Sequence, residues 1–186
     1  MESYGGWPVT TPNWTPPPFS VESLFGRLKA EFNEGVLVEQ WVGPDDKNSS
    51  VNILQLDQVT LGLPSRDYFL KDNSKAALAA YHRYMTNVAI LLGANATTAS
   101  AELRQMLNFE ISLANVSAAE VDRQDTSSTY TKLTVGEFQQ LVPQLNWMEL
   151  LSTYLETNIS ESEPVVSYSM SYFVEMGRIF EKTDRR

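Results

Sequence analysis

Apolar residues recur at helical spacing in several stretches of the chain, and the first stretch follows Ser20. Its apolar positions are Val21, Leu24, Phe25, Leu28 and Phe32. Residues three and four positions apart share one face of a helix, so this spacing predicts one amphipathic helix. Ser20 suits the N-cap because its hydroxyl can accept from a free backbone amide of the first turn. Gly35 is the predicted stop.

Two longer apolar stripes occupy the middle of the sequence. The first contains Leu78, Tyr81, Met85, Val88 and Leu92, and it stops at Gly93. The second runs over residues 98–116, and the side chains predicted to face one way are Leu103, Met106, Leu107, Leu113 and Ala114. The connection between the stripes is short, which favours two antiparallel helices.

The last third of the chain carries signals for three more helices. Thr134 and Glu137 have the spacing of a capping box, so a short helix is predicted to begin there and to end at Pro143. Further helices are predicted over residues 147–154 and 172–182. The stretch 163–168 between them is predicted to be extended.

Strand patterns are limited to two short apolar runs, residues 36–42 and 51–56. The turn-forming sequence Gly43-Pro44-Asp45-Asp46 follows the first run, which predicts a β-hairpin with a long loop. Residues 61–69 then form a structured loop, because Pro64 fixes its own φ and restricts the residue before it. The predicted fold class is mainly α, with one small β-hairpin.

The chain is predicted to divide into a connector and a helical region. Residues 1–19 contain five prolines and two adjacent glycines, a composition that interrupts helices and favours turns or extended chain. Residues 20–186 hold the predicted helices and the hairpin. With 42% hydrophobic residues, a chain of 186 residues can bury one sizeable core.

Charge and cysteine content exclude several classes of function. The formal net charge of −9 opposes binding to nucleic acid or to an anionic membrane surface. Because the chain has no cysteine, it can form no disulfide, no thiolate metal site and no cysteine nucleophile.

Five asparagines match the acceptor pattern for N-glycosylation. They are Asn13, Asn48, Asn95, Asn115 and Asn158. Eleven asparagines would give roughly two matches by chance, because Ser and Thr make up about a sixth of the chain. The excess predicts a secreted, glycosylated protein, although polar loops rich in Asn, Ser and Thr would produce the same pattern.

Targeting signals are not evident in the sequence. No apolar run approaches the ~20 residues that span a bilayer, and the first residues lack the basic and apolar parts of a signal peptide. If the protein is secreted, its targeting segment is expected outside this chain. The sequence is therefore interpreted as a fragment or a truncated product.

Residues suited to catalysis or metal binding are sparse. His82 is the single histidine, so the chain cannot supply the paired imidazoles of an H-E-x-x-H zinc helix, and a structural role is predicted for it. The acidic groups Asp45-Asp46 and Glu161/Glu163 lie in loop-like stretches and are predicted to be solvated. No cofactor or metal is expected to bind this segment.

Glu110 stands out because helical geometry places it near the centre of the second apolar stripe. A buried, unpaired carboxylate costs several kcal/mol, on the order of 3 or more, so a partner is expected. Arg66 and Arg123 are the candidates for a structural ion pair. A catalytic carboxylate is the alternative, but no metal ligands converge on it in the sequence.

One segment carries a family resemblance. Asp57-Gln58 followed by the run from Leu61 to Phe69 resembles the D-Q-x-x-L-G-L-P-S-R-D-Y-Y segment of neprilysin and endothelin-converting enzymes. Shorter matches follow the same order along the chain: Gly5-Gly6-Trp7-Pro8, Phe109-Glu110, Leu113-Ala114-Asn115, Tyr130 with Lys132 and Thr134, Asn146-Trp147, and the run from Glu161 to Val166. Since the matches cover nearly the whole chain, it is identified as similar to an internal part of the N-terminal, non-catalytic helical lobe of this zinc metalloendopeptidase family.

The resemblance implies a type II membrane ectoenzyme or a secreted relative, in which zinc activates water to hydrolyse oligopeptides inside a cavity between two lobes. The H-E-x-x-H helix, the third zinc ligand and the substrate-binding strand of such enzymes lie C-terminal to the matched region. The resemblance therefore gives this segment no catalytic, metal or substrate-binding residue. It also implies that the helical lobe is incomplete here.

Two functions are kept open by the sequence. The first is a part of a zinc endopeptidase, whose partners would be peptide substrates and the missing catalytic lobe. The second is a stand-alone secreted glycoprotein module, or truncated isoform, that binds a partner without catalysis. The two differ in whether the reading frame continues beyond residue 186 into an H-E-x-x-H segment.

Overall fold

The structure is a computed structural model, and it describes residues 2–123 and 125–184. The helices in this part of the chain are α1 (Val21–Phe32), α2 (Asp67–Leu70), α3 (Lys75–Leu91), α4 (Ala99–Val116), α5 (Thr126–Thr129), α6 (Val135–Leu141), α7 (Trp147–Leu155) and α8 (Met170–Lys182). The strands are β1 (Val38–Asp45), β2 (Asn48–Gln58), β3 (Thr131–Thr134) and β4 (Pro164–Ser167). The predicted mainly α class is confirmed.

The chain folds into two compact units. The first, called the helical unit, contains residues 2–18, 61–115 and 183–184 of the described chain. The second, called the sheet unit, contains Phe19–Thr60 and the described residues of Val116–Lys182. Each unit has its own buried residues.

The helical unit packs around residues from α2, α3 and α4. Its buried cluster consists of Phe69, Met85, Ala89, Ala94, Ala99, Leu103, Leu107 and Ala114. Trp7 and Val9 pack against this cluster, so the proline-rich N-terminal segment contributes to a core although it has little regular structure. Met106 is 49% exposed, and its predicted place in the apolar stripe is wrong. The buried positions on α4 are spaced by three and four residues from Ala99, which leaves Met106 about 100° away from Leu107.

The sheet unit contains one four-stranded sheet in the order β1-β2-β4-β3. β1 and β2 form the predicted antiparallel hairpin. β4 adds in parallel to β2 and antiparallel to β3, so the sheet has two more strands than the sequence analysis predicted. The expected extended segment before α8 is β4.

The hairpin is longer and its turn shorter than predicted. β1 continues through Gly43 and Pro44 to Asp45, and β2 begins at Asn48. Pro44 is tolerated because β1 is an edge strand, where a missing backbone donor breaks no central ladder. The Asp45 Oδ1 accepts from the Lys47 backbone N–H at 2.9 Å, which closes the turn within two residues.

Local capping determines where the helices of the sheet unit begin. The Ser20 hydroxyl accepts from the Ser23 N–H at 3.0 Å, which confirms the predicted N-cap of α1. Thr134 and Glu137 form the predicted capping box of α6. α1 ends earlier than Gly35, because Asn33 adopts the left-handed conformation with φ of 58° and caps the last turn.

Aromatic side chains fill much of the sheet unit's core. Phe138, Trp147 and Phe173 meet edge to face, with ring centroids 4.6–5.8 Å apart. The Trp147 indole N–H donates to the Val142 carbonyl at 2.8 Å, so its polar atom is satisfied inside the core. These contacts fix α6, α7 and α8 together.

Candidate functional site

Asp45, at the end of β1, lies at the centre of a polar network although only 1% of it is exposed. Its carboxylate accepts from the Lys132 ammonium at 2.7 Å, the Tyr130 hydroxyl at 2.7 Å and the Lys47 backbone N–H. These donors, with Lys132 first, lower the pKa of Asp45 to about 2. The network joins β3 to the tip of the hairpin.

The prediction that Asp45 and Asp46 are both solvated is wrong for Asp45. Asp46 and the predicted solvated pair Glu161 and Glu163 are exposed. Asp45 is buried under donors more than 80 residues away along the chain, Tyr130 just before β3 and Lys132 within it. No local pattern in the sequence indicates that Asp45 pairs with these residues.

An aromatic cluster lies beside Asp45. The rings of Trp41 and Tyr168 are parallel within 2°, with centroids 6.3 Å apart, and Tyr130 meets Tyr168 edge to face. The Lys47 ammonium lies over the Tyr130 ring, 5.4 Å from its centroid. Burial, followed by the Asp45 carboxylate, raises the pKa of Tyr130 to about 12. The cluster therefore already holds one cation on an aromatic face.

Tyr168 connects this cluster to β2. Its hydroxyl lies 2.9 Å from Asp46 Oδ2 and 3.2 Å from Gln55 Oε1, and it donates to this pair of acceptors. Burial and the Asp46 carboxylate raise the pKa of Tyr168 above its ordinary range. The phenol thus stays protonated and works as a donor at neutral pH.

Asp57, near the end of β2, collects a second set of donors. The Ser169 hydroxyl donates to Asp57 Oδ1 at 2.6 Å, and the Arg123 guanidinium forms an ion pair with Oδ2. Next to it, the side chain of Gln58 makes two hydrogen bonds to the backbone of Ala118, at 2.8 and 3.1 Å. Asp57 and Gln58 therefore anchor the segment 118–123 and the start of α8 to the sheet.

These side chains enclose an open cleft of about 260 Å³. Its lining consists of Trp41, Asp46, Gln55, Asp57, Arg123, Thr129 and Tyr168. The lining combines aromatic faces with two carboxylates, one guanidinium and an amide. Such a combination of aromatic, charged and amide groups can bind a ligand.

Glu110 lies in the helical unit and is buried, as the helical spacing predicts. Its Oε1 accepts from the Gly62 backbone N–H at 2.6 Å and from the Tyr81 hydroxyl at 3.4 Å. Oε2 is buried and has no hydrogen-bond partner among residues 2–123 and 125–184. A Cβ on Gly62 would lie 2.0 Å from the Tyr81 hydroxyl oxygen, so the loop can approach Glu110 this closely only with glycine.

The donors of Glu110 differ from the predicted arginines. A backbone amide and a phenol take the role assigned to Arg66 or Arg123, and Arg123 pairs with Asp57 instead. A glycine amide can approach more closely than an arginine side chain, and it leaves no signal in a sequence pattern. Sequence reasoning therefore found the buried carboxylate and missed its partner.

His82 connects two helices of the helical unit. Its Nε2 lies 2.9 Å from the Ser100 carbonyl oxygen, and its Nδ1 lies 3.1 Å from the Arg104 guanidinium. Since a carbonyl only accepts and a guanidinium only donates, the neutral tautomer with a proton on Nε2 satisfies both contacts. This arrangement is structural, in line with the role predicted for His82.

The five sequon asparagines are all exposed. They are Asn13, Asn48, Asn95, Asn115 and Asn158. Asn115 differs from the others because it lies in the last turn of α4 and because Ser117, the serine of its sequon, is buried. The exposed positions leave room for glycans, while glycosylation itself stays a prediction.

Comparison with known proteins identifies the family. The family model described as peptidase family M13, for its N-terminal region, matches residues 1–186. The chain belongs to peptidase family M13. It is 36% identical to human endothelin-converting enzyme 1 and 35% identical to the bovine enzyme, in both cases over 188 aligned residues that cover 100% of this chain. The alignment covers 24% of each relative, so the M13 chain spans about a quarter of their length.

Solved structures share the fold of this M13 chain. The zinc metalloprotease Zmp1 of Mycobacterium tuberculosis in its open state matches with a TM-score of 0.81 and 20% identity, over 88% of this chain and 25% of that one. PepO from Lactobacillus rhamnosis matches with a TM-score of 0.66 and 19% identity, over 85% of this chain and 25% of that one. At such identities the likeness concerns the fold alone.

Membership of the M13 family implies a bound zinc ion in the enzyme, and the described residues do not provide a set of ligands for it. Within residues 2–123 and 125–184, no group of three or more His, Cys, Asp or Glu side chains converges as metal ligands would. The single imidazole is used between two helices, and the chain has no thiolate. A search of the same residues for a helix long and apolar enough to cross a bilayer finds none.

Proposed function

We propose that this chain is part of the non-catalytic helical lobe of a zinc-dependent M13 endopeptidase that hydrolyses oligopeptides, and that it helps to enclose the substrate cavity. The observation that carries the proposal is the family match over residues 1–186. The relatives aligned with the chain are endothelin-converting enzymes about four times its length. The catalytic lobe and peptide substrates would then be its partners.

The chain alone is proposed to be inactive. A catalytic zinc site takes three protein ligands and keeps a fourth position for water. The described residues bring no such set together, so the ligands, and the activated water that zinc supplies, would belong to another part of the enzyme. This segment contributes two separately packed units: the sheet unit, whose strands and neighbouring segments are joined through Asp45 and Asp57, and the helical unit, in which Glu110 holds the loop at Gly62.

The stand-alone binding module is the weaker alternative. The family match extends over the entire chain rather than over one motif, which supports the peptidase context. Sequencing the transcript past residue 186 separates the two functions. We expect the frame to continue into an H-E-x-x-H segment, and a natural stop codon at that point, in the only transcript produced, would favour the module.

The enzyme is further proposed to be an extracellular or plasma-membrane ectodomain glycoprotein. The exposure of all five sequon asparagines supports this, because a glycan needs a solvent-facing attachment point. Mass spectrometry after glycosidase treatment of the secreted complete protein tests the proposal. Glycan on at least one of the five sites is expected, and five bare sites would overturn it.

Metal analysis and peptide hydrolysis test the proposed inactivity. The purified 186-residue chain is dialysed against zinc-free buffer, and its zinc content and cleavage of quenched fluorescent peptides are measured. We expect far less than one zinc per chain and no hydrolysis above the blank. A product extended through the downstream H-E-x-x-H segment is the positive control. One tightly held zinc together with hydrolysis by the short chain would overturn the proposal.

A further inference from the structure

The cleft in the sheet unit has features of a binding site that the peptidase proposal does not use. Trp41 offers an aromatic surface that is 38% exposed, although tryptophan is usually mostly buried. Its ring is parallel to that of Tyr168, whose hydroxyl is held by Asp46 and Gln55. The two aromatic rings are therefore fixed in position before any ligand arrives.

The size of the cleft limits the ligand. Small-molecule sites usually have volumes of about 300–1,000 Å³. At about 260 Å³, this cleft is smaller than that range and open to one side. It can accommodate one long side chain of a peptide, while the rest of the peptide stays outside.

The charges of the cleft favour a cation. Asp46 and Asp57 contribute two negative charges, and Arg123 contributes one positive charge that is paired with Asp57. Both Asp57 oxygens are occupied, by Ser169 and Gln58 on one side and by Arg123 on the other. Asp46 is exposed, and among the described residues its carboxylate accepts a hydrogen bond from the Tyr168 hydroxyl alone. One carboxylate thus stays available beside the aromatic faces.

Lys47 shows that the same cluster accepts a cation. Its ammonium already occupies a face of Tyr130, the ring that packs against Tyr168. A planar guanidinium stacks on aromatic rings and pairs with a carboxylate at the same time, which an ammonium does less well. The cleft combines both recognition elements.

We propose that the cleft between Trp41, Tyr168 and Asp46 binds an arginine side chain of a peptide or protein segment. The guanidinium would stack on the exposed part of the Trp41 ring, which Tyr168 supports from behind by stacking, and would donate hydrogen bonds to the Asp46 carboxylate. The site lies entirely in the sheet unit, and it goes beyond the peptidase function and does not depend on it.

The test uses the 186-residue chain and two matched probes, Nα-acetyl-arginine methylamide and its citrulline counterpart. The two probes have nearly the same shape, and only the arginine probe is charged. Binding is followed by NMR through the indole N–H signal of Trp41, assigned with Trp41→Phe. We expect a saturable shift with the arginine probe in the millimolar range. The citrulline probe should bind about fivefold to thirtyfold more weakly, because stacking of a cation and one surface ion pair are lost.

Protein variants locate the site. Asp46→Asn should weaken binding of the arginine probe about fivefold, while its amide oxygen can still accept from Tyr168. Asp72→Asn is the matched control, because it removes the same charge from an exposed position in the helical unit, and it should change binding less than twofold. Signal dispersion in the NMR spectrum reports whether each variant is folded, and the two probes on the unmodified chain decide the question even if a variant does not fold.

Three results would overturn the proposal. Equal binding of the arginine and citrulline probes would remove the role of the cation. An equal loss in Asp72→Asn and Asp46→Asn would assign binding to the overall charge of −9 rather than to the cleft. Stronger binding of Nα-acetyl-glutamate methylamide than of the arginine probe would make Arg123 the recognition group and the site an anion site.

Discussion

Asp45 in the sheet unit and Glu110 in the helical unit are both buried carboxylates, and their surroundings differ. Asp45 accepts from an ammonium, a phenol and a backbone N–H, all at 2.7–2.9 Å. Glu110 accepts from one backbone N–H at 2.6 Å and a phenol at 3.4 Å, and its second oxygen has no partner in the part of the chain that the structure describes. The first carboxylate is compensated by a positive charge, whereas the hydrogen bonds that the structure gives the second come from neutral donors.

The difference indicates two structural roles. Asp45 joins β3 to the hairpin through residues distant in sequence, so it stabilises the sheet as a charged junction. Glu110 holds a loop at Gly62 through a backbone amide, so it fixes the position of the loop more than it contributes charge pairing. Burying an oxygen without a hydrogen-bond partner lowers the free energy of unfolding. At Glu110 this cost accompanies the placement of the loop at Gly62.

The largest expected effect comes from removing the Glu110 acceptor. Glu110→Ala leaves the Gly62 N–H buried and unsatisfied and opens a gap, so we expect a loss of about 2–4 kcal/mol in the free energy of unfolding. Glu110→Gln keeps an oxygen for Gly62 and replaces the partnerless oxygen by an amide group, so its loss should stay below about 1.5 kcal/mol. Urea unfolding of both variants gives the comparison. If Gln destabilises as much as Ala, the negative charge is required and the neutral-donor description of this site is wrong.

The elements that the sequence predicted well depend on local rules. Ser20 and Thr134 were predicted as helix caps and are confirmed, because a cap joins a side chain to an amide three residues away. Gly93, with φ of +103°, ends the apolar stripe of α3 as predicted. Such contacts are visible in a window of a few residues.

The features that were missed depend on distant parts of the chain. β3 has four residues, too few for a clear alternating pattern, and it becomes a strand through pairing with β4. The extended segment predicted at 163–168 is β4, but its pairing with β2 and β3 was not predicted. Asp45 was predicted as a solvated turn residue from the Gly-Pro-Asp-Asp sequence, because its side-chain partners Tyr130 and Lys132 lie more than 80 residues away. The cleft of the sheet unit could not be predicted for the same reason: Trp41, Arg123 and Tyr168 come from three separate segments.

Acid unfolding distinguishes the charged junction at Asp45. Its folded pKa, about 2, is below the ordinary value of 3.8, so the stability that it contributes is present above about pH 4 and is lost as the pH falls through 2. Urea unfolding is measured at pH 4, 3 and 2. The free energy of unfolding should fall less steeply with decreasing pH for Asp45→Asn than for the unmodified chain, and the slopes should differ by up to about one bound proton. The two curves should converge near pH 2.

Asp72→Asn serves as the control for the acid series, because its side chain is 95% exposed. It should leave the slope unchanged. Parallel curves for Asp45→Asn and the unmodified chain would contradict the lowered pKa of Asp45 and would make its ion pair with Lys132 unimportant for folding.

The smallest expected effect concerns the phenol at the Glu110 site. Tyr81→Phe removes a hydrogen bond of 3.4 Å, close to the upper limit for such a bond, and leaves the stronger contact from Gly62 in place. We therefore expect a loss below about 1 kcal/mol by urea unfolding. Burial, more than Glu110, raises the pKa of Tyr81 to about 12. The ultraviolet titration of Glu110→Gln minus that of the Glu110→Gln/Tyr81→Phe double variant should therefore still show one tyrosine with a pKa well above 10. A loss above about 2 kcal/mol in Tyr81→Phe would mean that the phenol is a principal donor to Glu110. The two buried carboxylates would then be more alike than their distances indicate, because each would depend on a tyrosine hydroxyl.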